Sequence, residues 1–304
     1  MIHVQNYKNI TWLDLEKPTH EDVVKIMEQY NIDPLIARDL ESPTPKPKIE
    51  GGDESVYLVL HVPVLKHSHT LSNNQEIDFL IGKNFFITTH YDSIDALHHF
   101  KKLIEKEAVV NKAHVEITGG VLFYKLVKGL YQALYDELAY INSWIEDIDN
   151  QVFRGNENKM VRSISEVSRA LLRFKKTISI HKEMFLTLQT IASKTLGSEL
   201  TYYAHILTQE SSKALALIES YRDSIAELRE TNNSLLSTKQ NETTLAISAI
   251  ALIALPISII ISLFQIDSLS RPIIGMQNDF WIISGGMVGV AILLYFIFKI
   301  RKLL

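Results

Sequence analysis

Cysteine is absent from all 304 residues, which excludes disulfides, thiolate metal sites and a cysteine nucleophile. A glycine-rich phosphate loop, an HExxH pair and a nucleophile elbow are missing too, so the chain is not read as an enzyme and needs no cofactor. There is no excess of positive charge: 31 Lys and Arg against 35 Asp and Glu leave a net charge of −4. Without a basic patch or stripe, a nucleic-acid partner is not expected. The beginning, MIHVQNYKNITWLDLEKP, has no basic stretch leading into an apolar run, so no cleaved signal peptide is expected. Proline is scarce, with 8 in the chain and none between Glu199 and Pro256, which leaves room for one very long helix.

What the chain does have is an apolar tail. Two runs, Leu245–Phe264 and Phe280–Phe298, flank a short polar loop and precede Lys299, Arg301 and Lys302. Each holds about 20 residues, enough at about 1.5 Å per residue to span a hydrocarbon core of roughly 30 Å. The basic residues after the second run, with Lys213 and Lys239 before the first, predict that both termini are cytoplasmic. The loop Gln265–Asp279 then faces outward, although Arg271 opposes that orientation. Asp279 is the expected N-cap of the second membrane helix. The predicted location is the cell inner (plasma) membrane, crossed more than once.

The expected fold class is α+β, in three parts. Residues 1–115 alternate strand and helix signals and form an α/β domain. ITWLDL (Ile10–Leu15) is strand-like, and Thr19 with Asp22 three residues on caps a helix. Pro43-Thr44-Pro45-Lys46-Pro47 reads as a turn or linker. SVYLVLHVPVL, EIDFLIG and NFFITTH read as strands, the last two joined at Gly82-Lys83-Asn84, and Asp92–Lys106 reads as a helix. Residues 116–240 carry a long helical hairpin, broken at Arg154-Gly155-Asn156, and a stalk helix starting near Glu199. Residues 241–304 are the membrane hairpin.

Two registers run along the stalk helix. Ala214, Ile218, Tyr221, Ile225, Leu228, Asn232 and Leu235 step by four and three, the seam of a coiled coil, which predicts self-association. Asp223, Glu227, Glu230, Ser234, Ser237, Asn241, Thr244, Ser248, Ala251, Leu255, Ser258, Ser262 and Gln265 step the same way. This second stripe is acidic at one end and rich in hydroxyls within the apolar run. Lipid offers a hydroxyl face no partner, whereas a water-filled axis does. Several copies around one axis would form a pore with an acidic inner vestibule (Asp223, Glu227, Glu230) and an apolar constriction. Hydroxyls that bond back to their own helix are the alternative use of such residues.

Asn241-Glu242, followed by Ser248 and Pro256, is similar to the first membrane helix of the CorA family of divalent metal-ion transporters. In that family the motif N-E-x-M-x-x-L-T leads through a mid-helix proline to Gly-Met-Asn and an outer loop with M-P-E-L. The resemblance covers the whole chain, including Phe174–Leu188 in the hairpin. It implies a homopentamer in a lipid bilayer passing Mg²⁺ or a related divalent cation (Zn²⁺, Co²⁺ or Ni²⁺) into the cytoplasm. By position it assigns pore lining to Asn241, Thr244, Ile247, Ser258 and Ser262, with Thr244 and Ile247 at the apolar gate, and the stripe adds Ser248, Ala251 and Leu255.

The departures bear on mechanism. The Gly-Met-Asn position is held by Gln265, Ile266 and Asp267, and the loop motif becomes Arg271-Pro272-Ile273-Ile274, with its proline in register. The resemblance makes these the outer-mouth selectivity residues. Asp267 is then a candidate metal ligand, a ring of carboxylates in place of neutral amides, which would bind a cation more tightly, favour an ion that sheds water readily or respond to protons. This leaves a ZntB-like carrier of Zn²⁺ or another transition metal, or a non-conducting membrane-anchored pentamer, as alternatives. Ala204–Gln209 lacks the aspartate that the resemblance expects of an intracellular metal sensor. Elsewhere, His67-Ser68-His69 is a candidate Zn²⁺ pair in a hairpin loop. His98 and His99 are adjacent on a helix and share no face, and Tyr131, Tyr135 and Trp144 suit hairpin packing.

Overall fold

A computed structural model describes residues 2–63, 74–110, 117–265 and 273–300, without the side chains of 107–110 and 298. Its described elements are β1 (Ile2–Tyr7), β2 (Ile10–Glu16), α1 (His20–Tyr30), α2 (Pro34–Asp39), β3 (Lys48–Gly51), β4 (Ser55–Val62), β5 (Gln75–Gly82), β6 (Phe85–His90), α3 (Asp95–Val110), α4 (Gly119–Phe153), α5 (Glu157–Thr195), α6 (Ser198–Gln265) and α7 (Asp279–Ile300). They divide into two units. The first holds 1–154 and 159–228, and the second holds 155–158 and 229–304. The helix α6 contributes to both.

In the first unit the strands form one sheet in the order β1-β2-β6-β5-β4-β3. Only β2 and β6 run parallel; the other neighbours are antiparallel. Both faces are covered, which is why β4 to β6 read as almost unbroken apolar runs. One face packs Leu13, Leu15, Val59, Leu80 and Ile87 against Val23, Ile26, Ile36 and Leu40 of the α1–α2 segment. On the other, Trp12 meets Phe100 of α3 edge-on at 5.0 Å, and Phe79 meets Phe123 of α4 at 5.3 Å.

Local chemistry sets the boundaries. Thr19 accepts from Asp22 N while Asp22 accepts from Thr19 N, closing the capping box at the start of α1. Asp33 caps α2, whose first residue is Pro34. The α3 helix begins at Asp95, three residues later than the sequence suggests, and extends to Val110. At the start of α4, a Cβ on Gly119 would lie 2.2 Å from Gly82 O and 2.6 Å from Phe85 O, so only glycine lets this helix pass so close to the β5–β6 turn.

The helical part of the first unit corrects the coiled-coil expectation. Ala214, Ile218, Ile225 and Leu228 are buried within the single chain. The stretch of α6 that carries them is tied to α4 by Tyr135, whose hydroxyl donates to Glu210 Oε2 at 3.2 Å. It is tied to α5 by Gln189, which donates to Thr208 Oγ1 at 2.8 Å, and by the Lys175–Glu219 ion pair at 2.9 Å. The four-and-three step is shared by any left-handed helix packing, so the seam serves the chain's own hairpin rather than other copies.

A buried histidine joins this bundle to the sheet. Tyr131 Oη donates to His181 Nδ1 at 3.2 Å, and His181 Nε2 donates to the carbonyl of His61 on β4 at 2.8 Å. A carbonyl can only accept, so Nε2 carries the hydrogen, and in the neutral ring Nδ1 is left to accept from Tyr131. Burial pushes its pKa down to about 4 from 6.5. A depressed histidine means that the unfolded chain binds the extra proton, so this stabilisation is full above pH 6.5 and is lost as pH falls toward 4. We expect the melting temperature to drop over that window, and His181→Gln to flatten the slope while costing about 1–3 kcal/mol for the disrupted buried bonds. Differential scanning fluorimetry across pH checks both, and equal slopes would refute the assignment.

Candidate functional site

The site begins with the uneven exposure of α6 in the second unit. Through the apolar run the shielded positions are Ala249, Ile253, Pro256, Ile257, Ile260 and Phe264. Asn241, Thr244, Ile247, Ser248, Ala251, Leu255, Ser258, Ser262 and Gln265 are all exposed. At about 100° per residue the two sets centre about 180° apart. On α7 the shielded positions Ile283, Ser284, Met287, Val290, Ala291 and Leu294 also step by three and four, as one face of a packed helix pair does. The chain shields one face of α6 and leaves the rest bare, the hydroxyl row together with flanking apolar residues such as Ile250, Leu252, Ile259 and Leu263.

Both helices are long and apolar enough to cross a membrane. The bare hydroxyls are partly satisfied by their own helix. Thr244 Oγ1 donates to Gln240 O at 2.9 Å, Ser258 Oγ to Ala254 O at 3.0 Å, and Ser262 Oγ to Ser258 O at 2.9 Å. Back-bonding removes the cost of the donor hydrogen but leaves the oxygen lone pairs on the outer face, where an ion's water shell can donate to them. Pro256 falls on the shielded side, has no N–H, and leaves the carbonyl of Leu252 without its usual helical donor.

Charge at the start of the apolar run is segregated by face. Lys239 lies two residues, or about 200°, from Ser237 of the stripe. Its Nζ reaches Glu157 Oε2, at the start of α5, at 2.6 Å and Gly155 O, in the turn before it, at 3.4 Å. Lys239 in turn holds the Glu157 carboxyl below its ordinary pKa. The lysine at the start of the apolar run is therefore paired and turned away from the stripe. Farther back along α6, Asp223, Glu227 and Glu230 are exposed, and none takes part in an ion pair among the described residues.

At the other end Gln265 is the last residue of α6 and is exposed. Ile266, Asp267, Arg271 and Pro272 lie outside the described residues, as do His67 and His69. Asp279 is not the N-cap expected of it. The carbonyl of Asn278 accepts from Trp281 N and Ile282 N, which makes Asn278 the cap and Asp279 the first helical residue. The Asp279 carboxylate instead accepts from Gly275 N at 3.1 Å and Phe280 N at 2.7 Å. It thereby braces a loop in which Ile273, Gly275 and Asn278 have φ of 74°, 96° and 78°. Two of these are not glycine, and such conformations persist only where the surroundings hold them.

Periodicity alone revealed the stripe but not the Lys239–Glu157 pair, whose members are 82 residues apart. Among the described residues, no group of three or more His, Asp or Glu side chains is arranged to hold a metal.

Comparison with known proteins finds matches over nearly the whole chain. Residues 7–301 match the family model described as CorA-like Mg²⁺ transporter protein. The cobalt/magnesium transport protein CorA of Thermotoga maritima is 22% identical over 295 residues, covering 96% of this chain and 83% of that protein. The complete CorA magnesium transporter structure from Methanocaldococcus jannaschii superposes with a TM-score of 0.81 at 17% identity, covering 96% of this chain and 90% of the other. The cytoplasmic domain of ZntB from Vibrio parahaemolyticus gives a TM-score of 0.60 at 14% identity, covering 78% of this chain and 90% of the other. The chain belongs to the CorA-like Mg²⁺ transporter family.

Proposed function

We propose that this chain forms a homopentamer in the inner membrane, with both termini cytoplasmic, and passes divalent cations inward down their electrochemical gradient. The observation that carries the reading is the bare hydroxyl face of α6, opposite the face that its own chain shields. A hydroxyl row facing lipid gains nothing, whereas around a common axis it meets water and hydrated ions. Asp223, Glu227 and Glu230 would then attract cations to the inner vestibule, and Leu255 and Ala251 would form the apolar constriction. Thr244 and Ile247, nearer the inner end, would make a second and looser gate.

The entry ring would be made by Gln265, Ile266 and Asp267. Five carboxylates of Asp267 on one axis repel one another, so a cation or a proton is needed to hold them together. A magnesium ion gives up its water reluctantly, whereas a more readily dehydrated ion can be held directly. Mg²⁺ and Co²⁺ are the first ions to test, after the named activity of the Thermotoga maritima relative. Zn²⁺ and Ni²⁺ follow from the carboxylate ring.

Two measurements test this reading. In proteoliposomes, uptake of Mg²⁺, Co²⁺, Zn²⁺ or Ni²⁺ above empty vesicles is expected, and Asp267→Asn should shift preference toward Mg²⁺. Transition-metal flux alone would favour the ZntB-like reading. No flux of any ion from folded pentamer would overturn transport and leave an anchored scaffold. The second measurement exploits the absence of cysteine from the parent chain. Single cysteines at Ser248, Ser258 and Ser262 should react with a membrane-impermeant thiol reagent roughly tenfold or more faster than cysteines at Ile253 and Ile260, because only a hydrated thiol ionises readily. Equal rates on the two faces would refute pore lining.

A further inference from the structure

The strand β5 carries two acids in an otherwise apolar run, Glu76 and Asp78 of QEIDFLIG. Residues two apart on a strand point to the same face, here the face beneath α1 and α2. Asp78 is 0% exposed and Glu76 9%. Tyr57 Oη donates to Asp78 Oδ2 at 3.1 Å, but Asp78 Oδ1 has no hydrogen-bond partner. Thr89, directly across from Asp78 on β6 and also 0% exposed, has an unpartnered hydroxyl on that same face. A bare carboxylate there would be charged, dehydrated and half-satisfied, an arrangement that proteins avoid.

The groups that face the pair do not supply a counter-charge to Asp78. From β4 come Tyr57 and His61, and His61 Nε2 lies 3.1 Å from Thr44 O and 3.4 Å from Glu76 Oε2. From α2 comes another carboxylate, Asp39, which Lys48 pairs along with Glu50. Beyond β6, Tyr91 spends its hydroxyl on Leu40 O at 3.2 Å. Among the described residues no ion pair reaches Asp78.

We propose that Glu76 and Asp78 form a proton-binding site inside the N-terminal sheet, holding one proton between them at neutral pH. The shared proton removes one of two like charges and supplies the donor for a carboxyl–carboxyl hydrogen bond. Burial, then the neighbouring Glu76, pushes the Asp78 carboxyl well above the ordinary carboxylate range, against the pull of the Tyr57 donor. The site is wired to its surroundings. Glu76 Oε1 accepts from Thr44 N at 2.7 Å in the proline-rich strap, and the carbonyl of His61 receives His181 of α5. Loss of the proton sets two carboxylates side by side, and their repulsion would be passed through the Glu76–Thr44 hydrogen bond to the proline-rich segment.

A folded-state pKa raised above the unfolded value means that the native state binds the proton. This stabilisation is present at low pH and is lost as pH rises through the folded value. The test uses the full chain in an ester-free maltoside detergent, followed by infrared absorption of protonated carboxyl groups from pH 6.5 upward, where His181 stays neutral. We expect a carboxylic-acid band in the parent at pH 7 that Asp78→Asn removes. We also expect the melting temperature of Asp78→Asn to fall less than the parent's between pH 6.5 and 9. Glu76→Gln, which removes the neighbouring charge, should move the disappearance of the band to lower pH. A parent without the band, a band untouched by Asp78→Asn, or an unmoved midpoint in Glu76→Gln would each overturn the proposal.

Discussion

A helix in hydrocarbon must satisfy its polar groups from within or from another surface, because lipid offers no hydrogen bonds. Everything in the tail of this chain follows from how α6 meets that requirement. Its backbone is satisfied by helical bonds except where Pro256 interrupts the ladder, and three of its hydroxyls bond back to the preceding turn. Its remaining needs are divided by face. The side bearing Ile253, Ile260 and Phe264 is shielded within the second unit, and the side bearing Ser248, Ser258 and Ser262 is not. A single chain thus covers only one side of the helix, and the part it leaves open holds the hydroxyl row flanked by apolar side chains such as Ile250, Leu252, Ile259 and Leu263.

The same economy governs charge. Lys239 is tethered to Glu157 and Gly155 on the side away from the stripe. The acids Asp223, Glu227 and Glu230 remain exposed on α6. The lysine at the start of the apolar run is thus neutralised on the side away from the stripe. This separation depends on helical angle: residues two apart on a helix face nearly opposite directions.

The first unit solves a different problem, which is how to place polar groups inside a sheet covered on both faces. One face holds the half-buried Asp14, which accepts from Thr88 Oγ1 at 2.6 Å and lies 3.5 Å from His90 Nε2. The other buries the Glu76–Asp78 pair. Although burial pulls the other way, the Asp14 contact raises the His90 pKa overall. The two faces thus hold groups that gain protons for opposite reasons, a histidine through a carboxylate partner and a carboxyl through the lack of a cation.

Much of this was legible in the residues because it rests on local rules. Capping by Thr19, the break at Gly155, the long helix with no proline before Pro256 and two apolar runs of membrane length all arise from neighbours within a few positions. The hydroxyl stripe was legible for the same reason, since a repeat of four and three is a property of one helix. Other decisions belong to the tertiary structure. The heptad from Ala214 to Leu228 looked like a seam between copies, yet the chain's own hairpin fills it, because periodicity records that a face is buried and not what buries it. Asp279 had the composition of a cap, but the loop's backbone claimed its carboxylate and left the cap to Asn278. The Lys239–Glu157 pair, the neutral His181 and the buried acids on β5 required residues far apart in the chain to meet. Burial and counter-charge, which set their protonation, do not exist until the chain has folded.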